Sequence, residues 1–507
     1  MLSWGRERVP PLFFKQILDP TPARPRSHLL LASHLTCPNL FGVRMNSLKH
    51  LMVALALCLA SHSVEARKPN IIYILADDLG YGDLGCYGQK TLTTPNLDRM
   101  AAEGMRFTRH YSGSTVCAPS RCVLMTGLHT GHARIRGNGP GQLLPSDVTF
   151  ARLLQQNGYA TGCFGKWGIG NPPPLNDPAV HGFDEFYGYL NMYHAHNFYP
   201  EYVVKNGLKI PLQNKLYPDW YQKRFGPRDG AGVAEKAVDY LPQMIADETL
   251  KFIRANAEKP FFIYYALNIP HANNEGGGEP RINRDGMRVP DWGEFKDQDW
   301  PAQEKGFAQM MHYIDRDIGN MIKLLKELGV DDDTVIMFSS DNGPHQEGGH
   351  KMAFFDSNGP LKGMKRDLYE GGIRVPFIVR WPGKVPAGQT SAHISGFQDI
   401  FPTVCELAGI ETPHRIDGIS FAPTLLQEGK QKEHRHLYWE FYERGGKAAV
   451  VKGDWKAVRL NILKDPDAQI ELYDLSKDIG EESNIASRHP ALVEEMARIM
   501  KREHVDP

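Results

Sequence analysis

Apolar positions along the chain fall into short unbroken runs separated by segments of helical period. P-N-I-I-Y-I-L-A-D-D (69–78) is such a run ending in two carboxylates, the pattern of a strand buried on both faces whose C-terminal end carries polar chemistry. T-V-I-M-F-S-S-D-N-G (334–343) repeats the design and ends in an acid and an amide, while P-F-F-I-Y-Y-A-L-N-I-P-H (260–271) ends in His271. Between these runs, 95–104, 147–157, 245–256 and 303–328 read as helices; in the last, Ile314, Ile318, Met321, Ile322 and Leu325 keep one face apolar. Strands alternating with helices predict an α/β fold, with a large mixed, mostly parallel sheet sandwiched by helices and with function at strand ends. Near residue 430 the charged stretch E-G-K-Q-K-E-H-R reads as a link. Beyond it H-L-Y-W-E-F-Y and A-A-V-V-K-G-D-W-K-A-V-R-L predict antiparallel strands, and 490–502 a closing helix. The expected organisation is a leader over 1–66, a main domain over 67–430 and a small C-terminal α+β subdomain over 431–507. The aromatic, proline-bearing stretch 171–230 and the glycine-rich 272–300 read as loop insertions that shape a binding site.

The leader changes the expected compartment. Residues 45–66 hold a basic start, the ten-residue apolar run L-M-V-A-L-A-L-C-L-A and a small-residue end with Val64 and Ala66, which is a signal-peptide pattern. Ten apolar residues fall well short of the roughly 20 needed to span a bilayer, so the reading is an exported protein, periplasmic or secreted, with no membrane span. Met45 is the expected start of translation. Composition excludes whole-chain disorder, since 41% of the 507 residues are hydrophobic. Fifty-eight basic against fifty-nine acidic side chains leave a formal net charge of −1, so no global field recruits nucleic acid. Seven cysteines show no paired C-x-x-C spacing, which argues against a zinc site or a disulfide scaffold; Cys86, Cys122, Cys163 and Cys405 remain free or paired as far as sequence goes.

Asp77-Asp78 at one strand end and Asp341-Asn342 at another offer three carboxylates and an amide. This all-oxygen set suits a hard divalent cation, calcium or magnesium. Either pair alone would equally serve as a helix cap or a turn. In Cys117-Ala118-Pro119-Ser120-Arg121, Pro119 can open a helix, which puts the cysteine at a positive helix end with Arg121 one turn away as an oxyanion holder. The bland alternative is a half-buried structural cysteine.

C-A-P-S-R resembles the C-x-P-S-R signature of type I sulfatases, the formylglycine-dependent, arylsulfatase-like members of the alkaline phosphatase superfamily. Further motifs follow in the family's order and extend the resemblance over nearly all of 68–505. L-A-D-D-L-G-Y-G-D-L-G (75–85) is similar to the family's first metal-binding segment and S-S-D-N-G-P (339–344) to its second. G-K-W carries Lys166, A-L-N-I-P-H carries His271, and S-N-G-P-L-K-G-M-K-R-D-L-Y-E-G-G-I-R-V-P (357–376) carries Lys365. E-L-Y-D-L-S-K-D-I-G-E-E-S-N-I-A (471–486) resembles the C-terminal sheet.

The resemblance implies a sulfuric ester hydrolase in which a formylglycine-generating enzyme oxidises Cys117. Asp77, Asp78, Asp341, Asn342 and residue 117 then hold Ca2+, with Mg2+ as the second choice. It further implies that a hydrated aldehyde attacks sulfur, that Arg121, Lys166 and Lys365 offset the sulfate charge, and that the alcohol leaves with a proton from His271. One position departs from the family. The usual K-W-H reads Lys166-Trp167-Gly168 here, so the role of that histidine is vacant or filled from elsewhere. His194 and His196, in Y-H-A-H (193–196), are candidates to fill it or to bind substrate; the alternative is an ordinary surface loop. G-H-A-R-I-R-G-N (131–138), with Arg136, is a candidate rim for an anionic substrate or a solvated basic turn. The expected substrate is a sulfated small molecule or saccharide. A phosphate or phosphonate ester hydrolase of the same superfamily and a non-catalytic carbohydrate-binding relative are the alternatives.

Overall fold

The computed structural model describes residues 68–139, 141–169, 177–218, 229–413 and 415–506. The expected leader lies outside them. Ten strands form one mixed sheet: β1 (Asn70–Asp77), β2 (Met105–Phe107), β3 (Ala160–Lys166), β4 (Glu185–Tyr189), β5 (Tyr202–Lys205), β6 (Leu208–Pro211), β7 (Phe261–Pro270), β8 (Thr334–Ser340), β9 (Phe377–Arg380) and β10 (Gln389–Ser391). Their spatial order is β10-β2-β9-β8-β1-β7-β3-β4-β5-β6. The five central strands, β8 to β4, run parallel, and the antiparallel pairings lie towards the flanks. The unbroken apolar runs end up here because a central parallel strand is covered on both faces. Ile71, Tyr73 and Leu75 of β1 enter one core, and Ile72, Ile74 and Ala76 enter the other.

Helices supply both covers. α1 (Pro95–Ala102), α4 (Leu241–Asn256) and α5 (Ala302–Glu327) pack on one face, and α2 (Cys117–Thr126), α3 (Phe150–Gln156) and α6 (Ile400–Leu407) on the other. The expected α/β sandwich is therefore present, with small shifts at the ends. α3 starts at Phe150 instead of 147 because Thr149 caps it, its hydroxyl accepting from Arg152 N at 3.2 Å. α1 stops short of Gly104, where a Cβ would lie 2.2 Å from the Val379 carbonyl oxygen, so the chain there must run bare against β9.

Four further strands, β11 (Leu437–Phe441), β12 (Lys447–Lys452), β13 (Trp455–Leu460) and β14 (Ile470–Asp474), form a separate antiparallel sheet in sequence order. Alternation along these strands splits its faces. Tyr438, Val450 and Leu472 meet Met496 and Met500 of the closing helix α7 (Pro490–Glu503). Leu437, Trp439 and Phe441 press on Tyr111, Val116, Leu368 and Ile373. The Trp439 indole donates to the Ser112 carbonyl at 2.9 Å, so this sheet braces the segment that leads into Cys117. Buried Lys456 adds to the brace, 2.8 Å from Glu370 and 3.8 Å from Glu481. Among the described residues all five cysteines are free, and no helix is long and apolar enough to cross a membrane.

Candidate functional site

The C-terminal ends of β1, β7 and β8 converge on the first turn of α2. β1 ends in Asp77, and the chain then turns through Asp78 in the left-handed region, at φ 62°, a conformation that Asp tolerates better than most residues. Hydrogen bonds from the neighbouring strand end hold this turn. Asp78 N donates to Asp341 Oδ1 at 3.1 Å, Asn342 Nδ2 to Asp78 Oδ1 at 2.7 Å, and Leu79 N to Ser340 Oγ at 2.9 Å. α2 begins at Cys117 after extended Val116 and closes at Gly127, where φ is 70° and glycine is needed. This places Cys117 Sγ 3.5 Å from Asp77 Oδ1. One turn on, Arg121 is fully buried and turned to the carboxylates. Its Nε and Nη2 each lie 2.9 Å from Asp341 Oδ2, Nη2 lies 3.8 Å from Asp77, and Nη1 donates to the Lys166 carbonyl.

Two lysines complete the cluster. Lys166 Nζ, at the end of β3, is 2.7 Å from Asp77 Oδ2. Lys365 Nζ lies 2.8 Å from Asp78 Oδ2, 2.7 Å from Glu347 Oε2 and 3.0 Å from His271 Nε2. His271 directs its other nitrogen, Nδ1, to the Ala272 carbonyl at 2.6 Å.

Burial and pairing set the protonation states. Burial alone would raise Asp77, but Lys166, His271 and Arg121 more than offset it and hold the carboxyl well below its usual range. Asp78 is likewise lowered, against burial, chiefly by Lys365. Asp341 goes the other way. Burial, then the charge of Asp77, outweigh Arg121 and push it up to about 7. Burial lowers His271 to about 3, with Lys365 adding to the effect. Burial also raises the Cys117 thiol, so an unmodified cysteine here is a poor source of thiolate.

The oxygen donors suit a hard divalent cation. Three buried carboxylates converge, and Asn342 Oδ1 is buried with no partner among the described residues. Cys117 stands in the same group with Asp77, Asp78 and His271.

Of the twelve residues singled out from sequence, nine meet here: Asp77, Asp78, Cys117, Arg121, Lys166, His271, Asp341, Asn342 and Lys365. His196 lies beside them, its ring 4.8 Å from that of His271 and tilted by only 13°. His194 faces the other way. It is buried against Tyr189 and Tyr202, with Nε2 3.0 Å from the Tyr202 carbonyl. Arg136 turns to the C-terminal segment, where Nη1 meets Glu440, Nη2 the Val505 carbonyl and Nε the Ala133 carbonyl at 2.9 Å. Gly168 sits at φ 64° beside Lys166. Residues not foreseen are Glu347, which bridges Lys365 and Arg366 Nη1 at 2.7 and 2.6 Å, and Glu275, 3.3 Å from His196 Nδ1. The E-G-G-H that closely follows Asp341 was the available signal for the first; nothing local marks the second.

Residues 69–410 match the family model for sulfatases, and 363–505 match that for the C-terminal region of N-sulphoglucosamine sulphohydrolases. N-acetylgalactosamine-6-sulfatase of Canis lupus familiaris is 33% identical over 419 residues, covering 77% of this chain and 72% of the relative. Arylsulfatase A of Homo sapiens is 31% identical over 497 residues, 89% of either chain. Among solved structures, Ps i-CgsB in complex with k-i-k-neocarrahexaose is similar with a TM-score of 0.68 and 28% identity, over 87% of this chain and 94% of that one.

Proposed function

The chain belongs to the sulfatase family and is a sulfuric ester hydrolase, and from that premise we propose that it cleaves the sulfate ester of a carbohydrate with a formylglycine made from Cys117 and a bound divalent cation, Ca2+ before Mg2+. The observation that carries this reading is the meeting of Cys117, at the start of a buried helix, with three strand-end carboxylates and two lysines. Asp77, Asp78, Asp341 and Asn342 hold the cation, joined by residue 117. Formylglycine would supply a hydrated aldehyde as nucleophile, and the cation would lower the proton affinity of its oxygen. The remaining work falls to ordinary side chains. Arg121 fixes Asp341 and α2 in place. Lys166 and Lys365 sit on either side of Cys117's partners, where their ammonium groups offset the charge of sulfate oxygens. His271, 3.0 Å from Lys365, holds the substrate or protonates the leaving alcohol.

The carbohydrate assignment draws on similar proteins, one named an N-acetylgalactosamine-6-sulfatase and another crystallised with k-i-k-neocarrahexaose. The leader pattern adds export, and a formylglycine-generating enzyme is the partner needed for maturation. The test is chemical. Protein produced together with such an enzyme should carry an aldehyde at residue 117 by peptide mass spectrometry. Cys117→Ala should abolish turnover without lowering the melting temperature. Fully active protein containing only the unmodified thiol would overturn the reading.

A further inference from the structure

We propose that Asn138 is a positioning residue for the reaction: its side chain caps α2 from outside the helix and so holds residue 117 against the strand-end carboxylates. This rests on the sulfatase reading above and concerns the same site. A helix begins with backbone N–H groups that have no partner within it, and the residue just before the first turn ordinarily supplies an acceptor. In α2 that residue is Val116, whose side chain has no acceptor to offer. Pro119 brings no N–H, and Ser120 N reaches the Val116 carbonyl at 3.3 Å. Ala118 N, next to Cys117, donates instead to Asn138 Oδ1 at 3.1 Å, across 20 residues of chain. A backbone N–H can only donate, so the oxygen of the Asn138 amide is the atom that faces it.

The loop that carries Asn138 is held by the C-terminal subdomain. Asn138 N donates to Glu443 Oε1 at 3.2 Å. Arg136 ties the same loop to Glu440 and to the Val505 carbonyl, and Val505 N donates to the Gly131 carbonyl at 3.2 Å. The cap is thus supported from the antiparallel sheet and from the last residues of the chain. It meets α2 at the turn where Cys117 Sγ stands 3.5 Å from Asp77 Oδ1. One turn further on, α2 has an anchor of its own, Arg121 on Asp341 at 2.9 Å. Loss of the cap therefore frees residues 117 and 118 and leaves Arg121, Lys166 and Lys365 where they are. The attacking group loses its aim while the sulfate keeps its partners.

The test compares three variants. Asn138→Ala removes the acceptor, Asn138→Gln carries the same amide one methylene too far, and Asn138→Asp keeps an acceptor at the same reach. Hydrogen exchange of the peptide 112–124, in protein with unmodified Cys117, reads the cap without any turnover. One amide should lose protection in Asn138→Ala and Asn138→Gln and keep it in Asn138→Asp. Kinetics use whichever ester of a set of sulfated saccharides the wild type turns over fastest, with rates taken per mole of aldehyde and of bound metal. Asn138→Ala and Asn138→Gln should lose roughly 10–10² in kcat with KM within about threefold of wild type. Asn138→Asp should recover kcat to within about threefold, any repulsion between its charge and the sulfate appearing in KM. The melting temperature should fall by no more than about 2 °C, the scale of one lost cap in a chain of this length. A loss confined to KM would make Asn138 a substrate contact and overturn the proposal. Two other results would do the same: kcat in Asn138→Asp as low as in Asn138→Ala, or exchange unchanged in Asn138→Ala. Wild-type protein that carries the aldehyde yet cleaves no sulfate ester would overturn the sulfatase reading, while the exchange comparison would still decide whether the cap exists.

Discussion

Gly168→His, which restores the histidine common in the family, should weaken this enzyme. Gly168 lies at φ 64°, where a side chain costs about 1–2 kcal/mol through its Cβ. A Cβ there would also lie 3.3 Å from both Cγ and Cε of Lys166 and 3.6 Å from Arg121 Cδ, tighter than ordinary van der Waals contact on the lysine side. Lys166 has little room to yield, because its ammonium is 2.7 Å from Asp77 and the whole side chain is buried. Unfolding entropy of about 2.1 cal/mol/K per residue over some 440 residues is close to 0.9 kcal/mol/K, so the backbone penalty alone lowers the melting temperature by about 1–2 °C. The functional cost is larger. Shifting Lys166 by a few tenths of an ångström moves the ammonium group that we propose meets the sulfate, and misplacement on this scale costs on the order of tenfold in kcat. Thermal melts and steady-state kinetics on Gly168→Ala and Gly168→His separate the two contributions. Alanine carries the backbone penalty and the first contact, and histidine adds the ring. A Gly168→His enzyme with an unchanged melting temperature and a raised kcat would refute the reasoning and show that the position is a true catalytic vacancy.

Asp341→Asn removes a formal charge from the oxygen donor set and should weaken Ca2+ binding on the order of tenfold or more, with activity falling in parallel. Calcium titration and elemental analysis check this, and full activity in exhaustively chelated protein would contradict it. Asp83 gives a pH signature. Burial raises its carboxyl to about 7. A raised carboxyl binds its proton more tightly in the folded state, so its contribution to stability is complete below the unfolded value near 4 and is lost as pH rises through about 7, a change on the order of 4 kcal/mol. The stability difference between wild type and Asp83→Asn, from urea unfolding between pH 4 and 8, should fall across that window. A difference that stays level would dispose of the buried, protonated Asp83.

The parts of the site legible in the sequence are those that strands deliver. Asp77, Asp78, Asp341 and Asn342 each follow an apolar run, and a run buried on both faces fixes where its polar end emerges. Neighbouring parallel strands then bring those ends together, as Asn342 and Asp78 meet at 2.7 Å across 264 residues. Glu347 and Glu275 arrive on loops, whose course no periodicity encodes, and their partners Lys365 and His196 lie 18 and 79 residues away. The basic run 131–138 was visible as charge but not as structure. Arg136 is matched by Glu440 and Arg134 by Asp147, and the first of these acids comes from the distant antiparallel sheet.

The two histidines of Y-H-A-H show most directly what sequence leaves open. His194 belongs to the helical turn Met192–Ala195 and His196 directly follows it, still in the right-handed helical region. At about 100° per residue, two positions apart on such a turn point roughly 200° away from each other, so at most one of the pair can face the site. Which one depends on how the turn docks. Tyr189 and Tyr202 draw His194 into the core, where burial lowers it to about 4, and His196 is thereby left over His271. The spacing of the two histidines requires that they divide, and the aromatic packing around His194 decides that His196 is the one that stacks on His271.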